Sequence, residues 1–182
     1  MILGVIPARL NSTRFPSKVI FPLKGKPIIE HVYEKALQSN LLNKVIVAVD
    51  SEETKNVINC QNIIMTSDKH QSGTDRVAEV ANNFNCDIVV NIQGDEPGID
   101  PLLIDKLIQL FEDPDVEMAS IASTDLKEDD LNNDNVVKVN LDKENNAISF
   151  IRNNLNPEST YYRHNGIYAY RKNTLNLFTS LS

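Results

Sequence analysis

Residues 1–18 read MILGVIPARLNSTRFPSK, and this stretch decides the fold that we expect for the rest of the chain. Its first six residues are mostly apolar, which predicts a short buried strand, and Pro7 is expected to end that strand because proline has no N–H for the ladder. The segment that follows carries three cations and two hydroxyls, namely Arg9, Ser12, Thr13, Arg14 and Lys18. A strand that runs into such a loop is typical of the ligand edge of an open α/β sheet, and arginine and lysine bind phosphate. From the loop alone, a polyanion site and an exposed connector are both open interpretations.

Apolar runs alternate with helical periodicity over the next hundred residues. Continuous apolar runs predict buried strands at 45–49, 63–65 and 88–92. Apolar residues at helical spacing predict helices over 28–37, after the N-cap pair Asp50-Ser51, over 74–84 and over 101–111. Ser72 and Asp75 form a capping-box pattern at the start of the third helix. This alternation predicts a mostly parallel sheet with helices on both faces.

The pattern changes after Pro114. Strands are predicted at 118–123, 136–141, 147–151 and 164–170, with a turn at 142–146 and a final helix over 173–181. The polar, acidic residues 127–135 are expected to form a solvated loop. No linker separates the segments, so residues 1–182 are interpreted as a single α/β domain.

Composition narrows the classes of function. The net charge of the 182 residues is −7, which argues against a general nucleic-acid-binding surface. No apolar run approaches the roughly 20 residues of a membrane span, so we expect a cytoplasmic protein with no membrane partner. The two cysteines, Cys60 and Cys86, are expected to be reduced thiols. The sequence contains no Walker loop, G-x-G-x-x-G, zinc-ligand set or G-x-S-x-G. This excludes the commonest classes of ATPase, dehydrogenase and hydrolase.

Asp95 and Glu96 follow the strand at 88–92 and are expected at the carboxyl end of the sheet. A carboxylate there suits Mg²⁺, which binds through one or two carboxylates together with substrate phosphates. A helix-capping or solvated acidic pair is the alternative, and the position favours a metal for Asp95 more than for Glu96.

The segment His70-Gln-Ser-Gly-Thr-Asp-Arg76 joins a strand to a helix. Gly73 would let the backbone approach a ligand closely, so the loop could read a nucleotide base. An ordinary capped helix start explains the same residues. Further along, Arg152, His164 and Tyr168 would suit a substrate that carries a carboxylate.

Several motifs occur together in one order along the chain: Ile6-Pro-Ala-Arg-Leu-Asn-Ser-Thr-Arg-Phe-Pro-Ser-Lys18, Gly25-Lys-Pro27, His70-Gln-Ser-Gly-Thr-Asp-Arg76, Asn91-Ile-Gln-Gly-Asp-Glu-Pro97, Asn135-Val-Val-Lys-Val139 and His164-Asn-Gly-Ile-Tyr-Ala-Tyr-Arg171. This combination resembles the 3-deoxy-manno-octulosonate cytidylyltransferase (CMP-Kdo synthetase) family over essentially the whole chain. The resemblance implies a three-layer Rossmann-like nucleotidyltransferase fold with a smaller mixed β region used for dimerisation. It also implies a Mg²⁺-dependent reaction of CTP with the sugar acid Kdo, giving CMP-Kdo and pyrophosphate for lipopolysaccharide biosynthesis, in a cytoplasmic homodimer.

The same resemblance implies roles for individual residues. The CTP triphosphate would be held by Arg9, Ser12, Arg14 and Lys18, of which Arg9 and Lys18 are catalytic together with Asp95, the Mg²⁺ ligand. The cytosine would be read by Gln71, Ser72 and Gly73. The sugar acid would be bound by Gln93, Arg152, His164 and Tyr168.

The chain departs from the family pattern in three places. Ser17 replaces a glycine that the family usually has before the lysine, the segment between Arg152 and His164 is short, and the family continues beyond Ser182. That continuation carries a second metal-binding aspartate in a Gly-Val-Asp-Thr-Pro-like motif and a glutamate near the sugar. The sequence is therefore also compatible with an inactive or impaired nucleotide-binding fragment, a cytidylyltransferase for a related keto-deoxy sugar acid, or a uridylyltransferase of the same fold.

Overall fold

The structure is a computed structural model that describes residues 1–10 and 17–181. It contains two compact units, one formed by residues up to Ala119 and from Ile167 onward, the other by Ser120–Gly166. The expectation of a single domain stays a prediction.

The strands are β1 (Ile2–Ala8), β2 (Pro22–Leu23), β3 (Lys26–Pro27), β4 (Lys44–Val49), β5 (Ile63–Met65), β6 (Ile88–Asn91), β7 (Met118–Ser123), β8 (Lys138–Leu141), β9 (Ala147–Ile151) and β10 (Tyr161–Arg171). The helices are α1 (Ile28–Ala36), α2 (Glu52–Val57), α3 (Gly73–Asn82), α4 (Pro101–Gln109), α5 (Glu128–Leu131) and α6 (Lys172–Ser180). Single 3-10 turns occur at Lys18–Ile20 and Leu110–Glu112.

The sheet of the first unit is mostly parallel, as the alternation of elements predicted. Its order is β5-β4-β1-β6, followed by the second half of β10. The first four strands pair in parallel, and Tyr168–Arg171 of β10 pair with β6 in the antiparallel sense. The chain passes from β1 outward through β4 to β5 and then returns to the other side of β1 to form β6. The strand order therefore reverses between β1 and β6.

Helices cover both faces of this sheet, which makes it the central layer of three. On one face, Leu3 and Val5 pack with Val77 and Val80 of α3 and with Leu175 of α6. Because side chains alternate along a strand, Ile6 points to the opposite face, where α1 and α4 pack. The Rossmann-like fold class is confirmed.

Pro7 does not end β1, and this prediction was wrong. The strand continues to Ala8, which pairs with Val49 of β4. The carbonyl of Val5 accepts the N–H of Ile92 on the β6 side, so Pro7, two residues on, faces the same side. The pairing with β6 stops at Val5 and Asn91, so the N–H that proline lacks has no ladder partner to lose.

The acidic segment after β7 is not wholly a loop, because α5 forms one helical turn there. Asp130 explains why the turn is stable. Its carboxylate accepts the backbone N–H of Lys127 and lies 3.1 Å from Nη1 of Arg163. The sequence analysis expected a loop because a run of acidic residues does not reveal that one of them pairs with an arginine on β10.

The second unit is built on antiparallel strands. β8 pairs with β9 on one side and, through Asn140 to Lys138, with Tyr161–Arg163 of β10 on the other. The predicted turn at 142–146 is confirmed, since Asp142 accepts the N–H groups of Glu144 and Asn146. Lys138 is buried, and its Nζ donates to the carbonyls of Asn133 and Arg152.

Both cysteines are free thiols, as predicted. Burial, with a smaller effect of Glu30 and Glu34, raises the pKa of Cys60 to about 12. Across residues 1–10 and 17–181, none of the helices has the length and apolar character needed to span a bilayer.

Candidate functional site

Open α/β sheets bind ligands at the carboxyl ends of their strands, where the strand order reverses. In the first unit this point lies between β1 and β6. The segments that leave the carboxyl ends of β1, β5 and β6 carry the residues predicted to bind CTP. Two of them, Ser12 and Arg14, lie outside the described residues.

Lys18 and Asp95 meet at this edge. Lys18 Nζ donates to Asp95 Oδ2 at 2.7 Å, and both side chains are about two-fifths exposed. The pair links the segment after β1 to the segment after β6. Sequence reasoning placed each residue at a strand end but did not predict that they touch.

Arg9 connects the segment after β1 to the loop between β5 and α3. Its Nη1 donates to the carbonyl of Gln71 at 3.2 Å. The Gln71 side chain is exposed and donates to the carbonyl of Lys69 at 3.4 Å. The structure thus brings a predicted phosphate ligand and a predicted base-reading residue into contact.

Ser72 caps α3, and the predicted capping box is confirmed. Ser72 Oγ accepts the N–H of Asp75 at 3.1 Å, while Asp75 Oδ2 accepts the N–H of Ser72 at 2.9 Å. The box fixes the backbone of the loop where it enters the helix. Any role of the Ser72 side chain in binding a base stays a prediction.

Two glycines lie against Pro7 at the end of β1. A Cβ on Gly94 would meet the Pro7 carbonyl oxygen at 2.9 Å, which is closer than real contacts allow. A Cβ on Gly73 would meet the Pro7 ring at 3.5 Å, which is an ordinary contact. Gly94 is therefore needed for packing, whereas Gly73 is not required by the packing of the protein itself.

Gln93 and Tyr168, predicted to bind the sugar acid, belong to the first unit. Gln93 is the second residue after β6 and lies between the buried Ile92 and Gly94. Tyr168 lies on β10 opposite Asn91 and stacks on Tyr170, with ring centroids 6.1 Å apart. Burial raises the pKa of the Tyr168 hydroxyl, so it keeps its proton at neutral pH.

Arg152 and His164 belong to the second unit. His164 Nε2 lies 2.8 Å from Ser120 Oγ, and the His164 ring meets the edge of Phe150 with centroids 4.9 Å apart. Burial lowers the pKa of His164, which favours neutral imidazole. Arg152 is exposed, and its Nη1 donates to the carbonyl of Asp134 at 2.9 Å.

Asp50 and Arg76 form a buried ion pair that sequence reasoning missed. Arg76 Nη2 lies 3.1 Å from Asp50 Oδ2, with side chains that are 0% and 12% exposed. Burial lowers the pKa of Arg76, the charge of Asp50 opposes this, and Arg9 adds to the lowering. The available signal was an acid directly after the strand β4, together with an arginine beside the apolar residues of α3.

The metal prediction concerns Asp95. Within residues 1–10 and 17–181, no group of three or more histidine, cysteine or acidic side chains is arranged to hold a metal ion. Asp95 offers a partly exposed carboxylate next to a cation, at the edge where phosphates are expected. A donor set of this kind fits Mg²⁺, which takes most of its ligands from water and substrate phosphates.

Comparisons with known proteins agree with this arrangement. The family described as "Cytidylyltransferase" matches residues 3–182. The 3-deoxy-manno-octulosonate cytidylyltransferase of Pelobacter propionicus is 39% identical over 100% of this chain and 78% of its own length. The protein of the same name from Solibacter usitatus is 40% identical over 99% of this chain and 75% of its own length.

Solved structures give the same picture. A CMP:2-keto-3-deoxy-manno-octonic acid synthetase complexed with CTP superposes with a TM-score of 0.91 at 35% identity, covering 100% of this chain and 78% of that one. A cytidylyltransferase from Leptospira borgpetersenii has a TM-score of 0.65 at 18% identity, covering 100% of this chain and 64% of that one. The second likeness supports the fold alone.

Proposed function

Since the chain belongs to the cytidylyltransferase family and is thereby a nucleotidyltransferase, we propose that it transfers CMP from CTP to 3-deoxy-manno-octulosonate and releases pyrophosphate. The names of the relatives support this choice of nucleotide and sugar acid. The product would serve lipopolysaccharide biosynthesis in the cytoplasm, and a homodimer is the proposed assembly.

The observation that carries the proposal is the contact of Lys18 with Asp95 at the point where the strand order reverses. A triphosphate at this edge would meet Lys18 and Arg9 on one side and a carboxylate able to share a cation with it on the other. The cationic side chains match the negative charge that develops on the phosphates during transfer, and the carboxylate would contribute by holding a divalent cation there.

The proposed chemistry is one in-line displacement. The anomeric hydroxyl oxygen of the sugar acid bonds to the α-phosphorus of CTP, the bond from that phosphorus to the bridging oxygen breaks, and pyrophosphate leaves. The hydroxyl proton passes to solvent. Lys18 and Arg9 would neutralise the charge on the phosphates, and no covalent enzyme intermediate is needed.

Asp95 would hold Mg²⁺. The ion supplies charge neutralisation on the leaving phosphates when it is bound. Asp95 would position that charge, and its hydrogen bond with Lys18 orients the carboxylate.

The remaining assignments rest on the family resemblance and are part of the proposal. Ser12 and Arg14 would add to triphosphate binding, and the segment Gln71, Ser72 and Gly73 would read the cytosine. The sugar acid would be bound by Gln93, Arg152, His164 and Tyr168.

The test is pyrophosphate release from CTP, Mg²⁺ and 3-deoxy-manno-octulosonate, compared with UTP and with related keto-deoxy sugar acids. We expect turnover with CTP and its loss by about 100-fold or more in both Asp95→Asn and Lys18→Met. Asp95→Asn removes the proposed Mg²⁺ ligand, and Lys18→Met removes a cation at the reacting phosphates. Lys55→Met is the control, since Lys55 pairs with Glu52 on the surface of α2 and has a similar exposure of 43%.

Thermal shift with each nucleotide separates binding from catalysis, because a ligand that binds only the folded protein raises its melting temperature. Stabilisation by CTP without turnover would show that the protein binds the nucleotide but does not catalyse the transfer. Preference for UTP, or equal rates for Asp95→Asn and Lys55→Met, would contradict the proposed reaction or its site.

A further inference from the structure

We infer that the buried ion pair of Asp50 and Arg76 is a positioning unit that sets the two nucleotide-binding segments, the one after β1 and the one after β5, in register with each other. This inference rests on the proposed function, because it assigns the pair to the binding of CTP. The side chains of Arg76 and Asp50 are 0% and 12% exposed, so the pair would act through the segments that it holds and not by contact with the nucleotide.

Asp50 holds the first of these segments. Its Oδ1 accepts the backbone N–H of Leu10 at 3.1 Å, directly after Arg9. Leu10 is fixed a second time, because its carbonyl accepts the N–H of Ser17 at 2.9 Å. Leu10 is thus bonded directly to the carboxylate at the end of β4, and Ser17 is connected to that carboxylate through Leu10.

Arg76 holds the second segment. Its Nη1 donates to Thr66 Oγ1 and, at 3.2 Å, to the carbonyl of Ser67. Thr66 Oγ1 in turn donates to the carbonyl of Val49 at 2.9 Å, next to Asp50. These contacts fix the first residues of the loop that leads to Gln71, Ser72 and Gly73.

One ion pair therefore joins the two networks. Asp50 uses one carboxylate oxygen for Leu10 and the other for Arg76 Nη2, at 3.1 Å in both cases. A displacement of the arginine would move the carboxylate that holds Leu10, so neither segment can shift alone. Arg9, which donates to the Gln71 carbonyl at 3.2 Å, closes the connection on the side of the ligand.

The burial of this ion pair argues against a purely structural role. Taking two charges out of water is costly, and replacing a buried pair by apolar residues is often neutral or stabilising. A structural role alone therefore explains this pair poorly. A role in geometry explains why the hydrogen bonds of both members end on the two nucleotide-binding segments or on each other.

The chain offers a matched control in Asp105. Its carboxylate is also buried and also holds a loop, accepting from Ser39 Oγ at 2.5 Å and from the N–H groups of Asn40 at 3.1 Å and Leu41 at 3.2 Å. That loop precedes β4, at the amino end of the sheet and away from the nucleotide-binding edge. Loss of either carboxylate lowers stability, but only Asp50 is connected to the segments that bind CTP.

The experiment measures CTP affinity by calorimetry, together with melting temperature, for Asp50→Asn, Arg76→Met, the double variant and Asp105→Asn. We expect about tenfold weaker CTP binding in each single variant of the pair, because misplacement of binding groups by about 1 Å is costly. Asp105→Asn should lose stability but keep its affinity within about twofold. The double variant should be no weaker than the single variants, since residues that act as a unit are not additive.

Thr66→Val keeps both charges and removes only the hydroxyl that Arg76 holds, so it serves if the charge variants do not fold. Thr66→Val should also weaken CTP binding. Unchanged affinity in Thr66→Val, equal affinity losses in Asp50→Asn and Asp105→Asn, or additive losses in the double variant would overturn the inference. Absence of CTP binding by the unaltered protein would instead refute the proposed function.

Discussion

Ser17 has φ 59° and ψ 20°, a left-handed conformation in which a side chain is strained. By the family resemblance, Ser17 stands where a glycine is usual. The structure shows that the serine adopts the conformation suited to glycine and keeps its hydrogen bond to Leu10. The motif order predicted where this residue lies in the chain. Its left-handed backbone conformation and its hydrogen bond to Leu10 are visible only in the three-dimensional structure.

Ser17→Gly should raise the free energy of unfolding by about 0.5–1 kcal/mol, since relief of the left-handed strain exceeds the entropy that glycine loses on folding. Urea unfolding measures this change. Ser51→Gly is the control, because Ser51 is extended (φ −147°) and caps α2 with its side chain. A stability gain in Ser51→Gly, or a loss in Ser17→Gly, would contradict the explanation.

At the scale of the element, hydrophobic runs predicted β4 and β5 to within a residue. β4 is buried on both faces and has no polar side to confuse the pattern, whereas β5 is a half-buried edge strand whose three residues are all apolar. β1 ran past Pro7 because its proline faces a side where the neighbouring strand has already ended. The α5 turn depends on Arg163, which is distant in sequence. Local patterns therefore predicted most of the elements but not β2, β3 or α5, and non-local partners decided where β1 ends and that α5 forms.

The two glycines beside β1 provide a test at this scale. Gly94→Ala should lower the free energy of unfolding by about 1–3 kcal/mol, because the added methyl overlaps the Pro7 carbonyl and backbone must move. Gly73→Ala should change stability by no more than about 0.5 kcal/mol, since its methyl finds an ordinary contact.

If Gly73 lies against the base, Gly73→Ala should nevertheless lose most of the thermal stabilisation by CTP. Urea midpoints and CTP thermal shifts on the two variants measure both effects. Equal urea midpoints would refute the packing argument, and full stabilisation of Gly73→Ala by CTP would remove this glycine from the site.

At the scale of the whole molecule, the fold class was predictable because the order of strands and helices allows few topologies. The candidate site was predictable as a location, since strand ends in such sheets bind ligands. The side-chain contacts within the site were not predictable. Lys18 and Asp95 are far apart in sequence, as are Asp50 and Arg76, and nothing in their local patterns marks them as partners.

Hydrogen bonds to two carboxylates predict how the stability of the whole protein depends on pH. Burial would raise the pKa of Asp105, but hydrogen bonds from Ser39, Asn40 and Leu41 outweigh it and lower the pKa. The pKa of Glu79 is lowered in the same way, against burial, by His70 and Ser67. A carboxyl with a lowered pKa in the folded state stabilises the protein above its unfolded pKa of about 4, and this stabilisation is lost as the pH falls further.

Urea midpoints should therefore fall steeply below about pH 4.5, and Asp105→Asn should flatten that dependence. His164 adds a smaller decline that begins near pH 6.5, because its lowered pKa means that the unfolded chain binds the proton more readily. A pH-independent midpoint between pH 7 and 3 would contradict this assignment.

The central position of β1 has a consequence for synthesis on the ribosome. Ile2 of β1 pairs with Ile88 of β6, and the core of the first unit combines Leu3 and Val5 of β1 with Leu175 of α6. Contacts so distant in sequence slow folding and leave apolar strands exposed meanwhile. During synthesis β1 therefore lacks these partners until β6 and α6 have been made, and its apolar side chains are exposed to aggregation over that interval.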